Sequence, residues 1–208
     1  MKFIKTSLFI CFIFCTTVAI TKPVQDYVDY FDKEQQHKRS EGRYENGKEQ
    51  GIWKFYYKSG QLKEEANYDR GGLFGKTTIW YENGHKQHEG YFNFSLQDSI
   101  YNEWYENGNL KISGFYDMGV KDSTWQYWYE NGNPKKTETC DNGDIRLLNY
   151  WDTTGTQTIK DGSGSFELFR ENGEMEASYT YEDGYRTGLG VKYYPNGNKK
   201  EEGKYIKG

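Results

Sequence analysis

The sequence is poor in cysteine and in aliphatic residues, and each shortage excludes a class of fold. Only three cysteines occur in 208 residues, and two of them, Cys11 and Cys15, lie near the N-terminus. Cys140 is the one cysteine that remains beyond them, so a domain stapled by internal disulfides is excluded. Apolar residues make up 35% of the chain, aromatic residues 18%, and the mean hydropathy is −1.03. Such a composition excludes a thick aliphatic core and favours a thin structure whose Tyr and Trp rings lie close to water.

Positive charge is also in short supply, and two of the lysines lie in an N-terminal segment that is predicted to be removed. Lys2 and Lys5 precede the apolar run Leu8–Cys15, and residues 17–19 are a small-residue cleavage site, so residues 1–19 are predicted to be a secretory signal peptide. The run is shorter than the roughly 20 residues that a membrane span needs, and a retained anchor is the alternative. Removing both lysines changes the formal net charge from −4 to −6. That balance argues against nucleic acid and anionic lipid as partners.

Glycines recur at regular spacing in two interleaved series of turns. The first series is Gly60, Gly84, Gly108, Gly132, Gly155, Gly173 and Gly197, with steps of 24, 24, 24, 23, 18 and 24 residues. The second series is Gly47, Gly71, Ser95, Gly119, Gly143, Gly184 and Gly208, and each member after Gly47 falls 11 residues after a first-series glycine. No second-series turn is predicted between Gly155 and Gly173, where the short step indicates a hairpin that has lost residues.

Both series carry a residue of fixed type at a fixed distance. Four residues before each first-series glycine stands a ring: Tyr56, Trp80, Trp104, Trp128, Trp151, Phe169 or Tyr193. Three residues before each second-series position stands Tyr44, Tyr68, Phe92, Tyr116, Cys140, Tyr181 or Tyr205. The runs between turns are rich in residues that favour strands, and alternating turns make neighbouring strands antiparallel. The sequence therefore predicts an all-β fold: a single-layer antiparallel meander sheet of stacked β-hairpins, with about seven repeats and about fifteen strands.

The repeated Tyr-Glu-Asn-Gly motif gives the turn chemistry. It ends at Gly47, Gly84, Gly108 and Gly132. Glu-Asn-Gly fits a type I turn that closes with a left-handed glycine. A small residue follows six positions after several first-series glycines, at Ala66, Gly90, Gly114 and Gly203. Small side chains there are expected to let a ring of the neighbouring strand lie over the backbone.

Residues 20–41 stand outside the repeats. Val24, Tyr27, Val28 and Phe31 have helical spacing and predict a short helix that caps the first hairpin, with a linker as the alternative. The repeat domain is then expected to span residues 42–208. Within it, residues 144–164 are the least regular part and are expected to interrupt the array.

Two segments carry a resemblance to a known family. Gly51–Lys63 has the pattern Gly-x-Trp-x-x-Tyr-Tyr-x-x-Gly-x-Leu-Lys and is followed by Tyr68-x-x-Gly71, and Trp125–Lys136 reads WQYWYENGNPKK. Both are similar to the bacterial MORN repeat variant, and the resemblance covers about residues 41–208. Proteins with this pattern include the YwqK-type antitoxin-like family. The resemblance implies a single-layer antiparallel sheet that acts as a binding scaffold, and it implies no catalytic residues.

The candidates for chemistry give no site. His85 and His88 are three residues apart, which on a strand points them to opposite faces, so they do not form a metal-binding pair. Cys140 takes the position of a ring and has no histidine near in register to activate it. The sequence therefore predicts no enzyme, with no catalytic residue, no metal and no cofactor.

The rings are the candidates for binding. Trp and Tyr dominate the hot spots of protein interfaces, and rings also stack on sugars, but the same rings also stabilise sheets. The candidate binding surface consists of Trp53, Tyr57, Trp80, Tyr81, Trp104, Tyr105, Trp125, Trp128 and Tyr129. Trp53 lies nearer the end of the array and has fewer neighbours, so loss of Trp128 is expected to cost more stability than loss of Trp53.

These observations predict an exported, non-enzymatic repeat scaffold that binds a protein partner at the cell envelope. One alternative is a module that binds a glycan or an envelope polymer with the same rings. Another alternative is an antitoxin-like or immunity-like partner of a toxin protein. The protein is expected in the periplasm, on the outer surface or in the medium, with no integral membrane span once the signal is cleaved.

Overall fold

The structure, a computed structural model, describes residues 24–206, and all regular secondary structure within them is β-strand. The predicted signal peptide, residues 1–19, lies outside the described residues. Sixteen strands follow one another along the chain: β1 (Gln25–Tyr30), β2 (Lys38–Glu45), β3 (Lys48–Tyr56), β4 (Leu62–Asp69), β5 (Gly72–Trp80), β6 (Lys86–Asn93), β7 (Leu96–Trp104), β8 (Leu110–Asp117), β9 (Val120–Trp128), β10 (Pro134–Asp141), β11 (Asp144–Trp151), β12 (Gln157–Lys160), β13 (Ser163–Phe169), β14 (Met175–Glu182), β15 (Tyr185–Tyr193) and β16 (Lys199–Tyr205).

The strands form one open sheet in which the order in space is the order in sequence. Every neighbouring pair is antiparallel, so the sheet is a continuous meander of hairpins. The prediction of an all-β, single-layer antiparallel meander is therefore confirmed. The sheet has 16 strands within residues 24–206, where the sequence predicted about fifteen.

The N-terminal segment differs from the prediction. The sequence indicated a linker or a short capping helix over residues 20–41, whereas the structure forms β1 there and pairs it along its length with β2. The Tyr27 ring packs against Tyr44 and Trp53, with ring centroids 5.4 and 5.5 Å apart. Helical spacing is a weak local preference, and ring packing together with backbone pairing overrides it. The sheet thus begins at Gln25 rather than at residue 42.

The first series of turns closes as predicted. The amide of Gly84 donates to the carbonyl oxygen of Tyr81 at 2.9 Å, and Gly84 has a φ of +87°. The same bond and a similar positive φ occur at Gly108 and Gly132. A β-carbon is disfavoured at this φ, so glycine is the residue that fits. The type I turn with a left-handed glycine is confirmed for these three copies of Tyr-Glu-Asn-Gly.

The second series uses a tighter turn. Its turns are two-residue type I′ turns, in which both central residues have positive φ, and seven occur in residues 24–206: Asn46-Gly47, Arg70-Gly71, Phe94-Ser95, Met118-Gly119, Asn142-Gly143, Asp161-Gly162 and Asp183-Gly184. This turn matches the right-handed twist of the strands that it joins. The first Tyr-Glu-Asn-Gly copy, Tyr44–Gly47, also ends in a type I′ turn, so the type I prediction is wrong there. Glu45 pairs with Lys48, which leaves only two residues for the turn.

The second-series turn predicted to be missing is present at Asp161-Gly162. It comes 7 residues after Gly155 rather than 11, because β12 has only four residues. The amide of Gly162 donates to the carbonyl oxygen of Leu148 at 2.7 Å, and the amide of Gly184 donates to Gly162 at 3.0 Å. The shortened hairpin is therefore tied to the repeats on both sides, and the sheet continues through it.

Two tryptophans lie flat on glycines. We name the sheet face that carries Trp53 and Trp125 the ring face, and the opposite face the open face. Trp53 is 3% exposed and Trp125 is 1% exposed. A β-carbon on Gly42 would lie 2.2 Å from the Trp53 ring, and one on Gly114 would lie 2.2 Å from the Trp125 ring. Without those β-carbons the rings rest directly on the backbone, which buries ring area that a single-layer sheet otherwise exposes.

The rings of this face gather in three clusters. The first surrounds Trp53 at centroid distances of 5.0–6.3 Å and contains Tyr27, Tyr44, Phe55 and Tyr68. The second surrounds Trp125 at 4.9–6.5 Å and contains Tyr101, Tyr116 and Tyr127. The third consists of the buried Leu147, Tyr150 and Ile159, with Phe166 and Tyr181 packed against them. Stability of the array therefore comes from rings of adjacent strands that cover one another.

The burial of Trp53 and Trp128 argues for the opposite order of stability loss from the one expected from the sequence. Because β1 covers Trp53 with Tyr27, Trp53 is a core residue, whereas Trp128 is half-buried. The expectation of a ring over small residues is confirmed at Gly114. It is wrong at Gly90, where the Gln97 side chain lies over the backbone, and at Gly203, where nothing lies within 4 Å of an added β-carbon.

Substitution of Gly114 by Ala is expected to destabilise the sheet by about 1–3 kcal/mol, the usual range for overpacking. The new β-carbon would lie 2.2 Å from the Trp125 ring, so the ring must leave the backbone. Gly203→Ala is the matched control, since Gly203 has the same repeat position, no positive φ and no neighbour within 4 Å. Its melting temperature should equal or slightly exceed that of the wild type. Equal thermal melts of the two variants would contradict the packing described.

Candidate binding face

The nine rings predicted to bind a partner fall into three groups. Trp53 and Trp125 are buried on the ring face, and their indole N–H groups donate to the carbonyl oxygens of Arg43 at 3.2 Å and Phe115 at 3.1 Å. Their rings are covered and their polar atoms are satisfied, so these two residues serve the fold. The other seven are half-buried: Tyr57, Trp80, Tyr81, Trp104, Tyr105, Trp128 and Tyr129.

The four tyrosines of that set tie successive repeats together. Each hydroxyl donates to the carbonyl oxygen of the Trp that ends the equivalent strand of the next repeat: Tyr57 to Trp80 at 2.7 Å, Tyr81 to Trp104 at 2.9 Å, Tyr105 to Trp128 at 2.9 Å and Tyr129 to Trp151 at 2.8 Å. We name this row the tyrosine ladder. The tyrosine that opens each first-series turn therefore supplies a hydrogen bond between repeats as well as the start of the turn.

The row of tyrosine hydroxyls in the tyrosine ladder ends at Tyr129. Asp152 takes the next position, and its Oδ1 accepts the backbone amides of Thr154 and Thr156 at 2.9 Å each, so it braces its own turn. The hydrogen bond of the Thr154 hydroxyl helps to hold the pKa of the Asp152 carboxyl below its usual value. One repeat later, the Arg170 guanidinium donates to the carbonyl oxygen of Tyr193 at 2.8 Å. A guanidinium thus restores the link between repeats.

The remaining three rings, Trp80, Trp104 and Trp128, lie on the open face. Strand alternation puts them on the side opposite Trp53 and Trp125. Within residues 24–206 none of the three stacks on another aromatic ring, and the Lys86 ammonium lies 5.5 Å from the Trp104 ring. Their half-buried rings are therefore accessible to a partner on the open face.

The open face also carries apolar side chains that the sequence interpretation did not single out. Ile100 and Phe115 are register partners on β7 and β8, and they are 54% and 37% exposed. Further exposed apolar residues on this face are Ile52, Tyr91 and Leu189. The sequence contains the information that places Ile100 and Phe115 on the open face. Each precedes a tyrosine of the ring face, and side chains alternate between the two faces of a strand.

Cys140, His88 and His85, the groups that could carry chemistry, are each engaged in packing or in a hydrogen bond. Cys140 is 2% exposed, and burial raises the pKa of its thiol, which keeps it protonated and a poor nucleophile. His88 packs on Tyr101 with centroids 4.8 Å apart, and burial lowers its pKa, so its imidazole is neutral near pH 7. His85 places Nδ1 at 2.8 Å from the carbonyl oxygen of Glu106, so the hydrogen-bonded nitrogen is the protonated one. In the part of the chain that the structure describes, no three His, Cys, Asp or Glu side chains are grouped to hold a metal ion.

Four segments of the chain match the MORN repeat variant: residues 49–70, 97–118, 121–142 and 186–207. Each match covers one hairpin whose two strands are joined by a first-series turn. The four hairpins are β3–β4, β7–β8, β9–β10 and β15–β16. These four hairpins are therefore similar to MORN repeats, in line with the resemblance seen in the sequence. MORN repeats are generally non-catalytic modules of protein or membrane interaction. No curated protein matches the chain significantly.

A membrane-spanning helix is not part of the described fold. Across residues 24–206, no helix has the length and apolar character to cross a bilayer.

Removing one hydroxyl from the tyrosine ladder tests its role. Tyr105→Phe should lower stability by about 1 kcal/mol, since it breaks the bond to Trp128 and leaves that carbonyl without its side-chain donor. Tyr194→Phe is the matched control, because Tyr194 takes the same turn position, is 47% exposed, and its hydroxyl forms no hydrogen bond within residues 24–206. Urea unfolding of both variants measures the difference. A loss for Tyr194→Phe as large as that for Tyr105→Phe would refute the ladder.

Proposed function

We propose that this protein is an exported, non-enzymatic repeat scaffold that binds a protein partner at the cell envelope through its open face. One observation carries the proposal: Ile100 and Phe115 form a cross-strand pair on that face and remain 54% and 37% exposed. Folded proteins rarely leave contiguous large apolar side chains in water, and such patches typically mark interaction sites.

The surroundings of the pair suit a protein interface. The half-buried ring of Trp104 lies on the same face of β7, and Tyr91 on β6 is 39% exposed. Tyr and Trp are enriched in interface hot spots. Because the residues stand on paired strands, little conformational entropy is lost when a partner docks.

Export rests on the sequence. Lys2 and Lys5, the apolar run Leu8–Cys15 and the small residues 17–19 have the order of a secretory signal. Cleavage would give a mature chain that starts near Ile20 and places the sheet outside the cytoplasm, in the periplasm, on the outer surface or in the medium.

A glycan is the second candidate ligand. Trp104 and Trp128 alternate on the open face with the polar Asn102 and Gln126, an arrangement that suits a sugar stacked on a ring. The exposed Ile100 weighs against it, because an aliphatic side chain offers neither a stacking plane nor a hydrogen bond. An antitoxin-like role is one form of the protein hypothesis, in which the partner is a toxin.

Capture with a matched pair of variants tests the proposal. The purified protein is cross-linked in envelope extract, and captured proteins are quantified by mass spectrometry, which also reads the N-terminus. Ile100→Lys/Phe115→Lys should lower capture of a specific protein about tenfold or more. Thr124→Lys/Thr139→Lys is the control, since Thr124 and Thr139 are register partners at the same positions one repeat later. It should capture as the wild type does.

Two outcomes would overturn the proposal. One is capture that does not change in Ile100→Lys/Phe115→Lys. The other is binding to a glycan array that Trp104→Ala abolishes, with no protein captured above background, which would favour the glycan alternative.

A further inference from the structure

We propose that the type I′ turns after β6 and β8 form a docking site for a protein segment whose apolar side chains are flanked by Lys or Arg. The proposal rests on the proposed function and specifies the chemistry of the partner. The site is a group of exposed apolar side chains that we name the turn-edge patch: Phe74, Phe94, Leu96, Met118 and Val120. Their exposed fractions are 42, 62, 45, 49 and 50%, respectively.

The patch is continuous across two repeats. The Phe74 and Phe94 rings have centroids 5.8 Å apart, so β5 contributes to the turn that follows β6. The Leu96 side chain lies 3.6 Å from where a β-carbon on Gly119 would stand. The Met118 sulfur lies 3.6 Å from the Asn93 side-chain amide. Two successive turns thus present a single apolar surface.

The turn chemistry indicates that stability does not explain these residues. At the first central position of the other five type I′ turns, the residues are polar or charged: Asn46, Arg70, Asn142, Asp161 and Asp183. Phe94 and Met118 take that position with a φ of +46° each, and Ser95 follows at +66° where glycine is usual. A bulky side chain with positive φ is strained, and here the strained side chain is also exposed. Strain of this kind persists where function requires the side chain.

Unpaired carboxylates surround the patch. Asp98, Asp117 and Asp122 form no ion pair with a cation in residues 24–206, and Asp122 lines the same surface as Met118 and Val120. Asp98 accepts the backbone amide of Met118 at 3.3 Å, and Asp117 is the register partner of Val120, so both lie beside the patch.

The nearest lysine does not neutralise this charge. Lys121 turns to the ring face, where its ammonium lies 2.9 Å from the Tyr127 hydroxyl and 4.0 Å from the centroid of the Trp125 ring. The open side of the two turns therefore combines apolar surface with net negative charge.

The combination of apolar surface and negative charge determines which kind of partner fits the patch. An anionic lipid surface would be repelled by the carboxylates, and a second copy of the patch would bring the same carboxylates together. A segment with apolar side chains and flanking Lys or Arg satisfies both parts of the surface. Its cations would pair with carboxylates that otherwise lack partners.

The test uses a short fluorescein-labelled peptide of alternating Lys and Leu, with a Glu and Leu peptide of equal length as the charge control. Fluorescence anisotropy with the whole protein should show binding of the Lys peptide about tenfold tighter than of the Glu peptide, and weaker binding as salt rises. Phe94→Asn/Met118→Asn should weaken binding about tenfold or more. Asn tolerates positive φ, so this variant should melt at the wild-type temperature or above it. Asp98→Asn/Asp122→Asn should weaken binding and reduce its dependence on salt.

Arg70→Asn is the matched control, because Arg70 takes the same turn position outside the patch and pairs with Asp69. It should bind the Lys peptide as the wild type does. Equal binding of both peptides, or unchanged binding by Phe94→Asn/Met118→Asn, would overturn the proposal. So would binding to phosphatidylcholine vesicles, or self-association in sedimentation, that depends on Phe94 and exceeds peptide binding.

The two proposals fail separately. If Ile100→Lys/Phe115→Lys abolishes capture while Phe94→Asn/Met118→Asn captures normally and binds the peptide normally, the open-face scaffold stands and the turn-edge patch is refuted. If no protein is captured from extract at all, the scaffold is refuted and the peptide titration still decides the patch.

Discussion

The contact of an indole ring with a bare glycine backbone is the interaction on which this sheet depends. A single layer of strands has no second layer to cover it, so its side chains must cover one another. Trp53 on Gly42 and Trp125 on Gly114 achieve this, since the missing β-carbon lets the ring approach the neighbouring strand. The half-buried rings around each Trp then cover it, so that Trp53 is 3% and Trp125 is 1% exposed.

The concentration of rings on one face determines what the other face is able to do. The ring face and the tyrosine ladder link successive repeats, and Ile100 and Phe115 on the open face take no part in those contacts. Apolar side chains such as Ile100 therefore remain exposed on a rigid platform. The turn at Phe94 extends the apolar surface to one edge of the sheet. A scaffold for binding is the function that this division supports.

The sequence predicted the features that local chemistry controls. Turn glycines such as Gly84 need positive φ, and their spacing gave the meander and its strands. Features that depend on long-range contacts were not predictable in this way. Val24 to Phe31 has helical spacing, and packing of Tyr27 on Trp53 together with backbone pairing to β2 makes Gln25–Tyr30 a strand. Likewise, nothing local shows that the Tyr105 hydroxyl reaches the next repeat, or that Trp125 rather than Trp128 is buried.

The central claim is that buried rings on the ring face hold the repeats together, while rings on the open face contribute less to stability. Thermal melts of Trp53→Ala and Trp128→Ala test it most directly. Trp53 is 3% exposed and Trp128 is half-buried, so Trp53→Ala should lose about 3–5 kcal/mol and Trp128→Ala clearly less. A Trp128→Ala protein that melts at or below the temperature of Trp53→Ala would contradict the account.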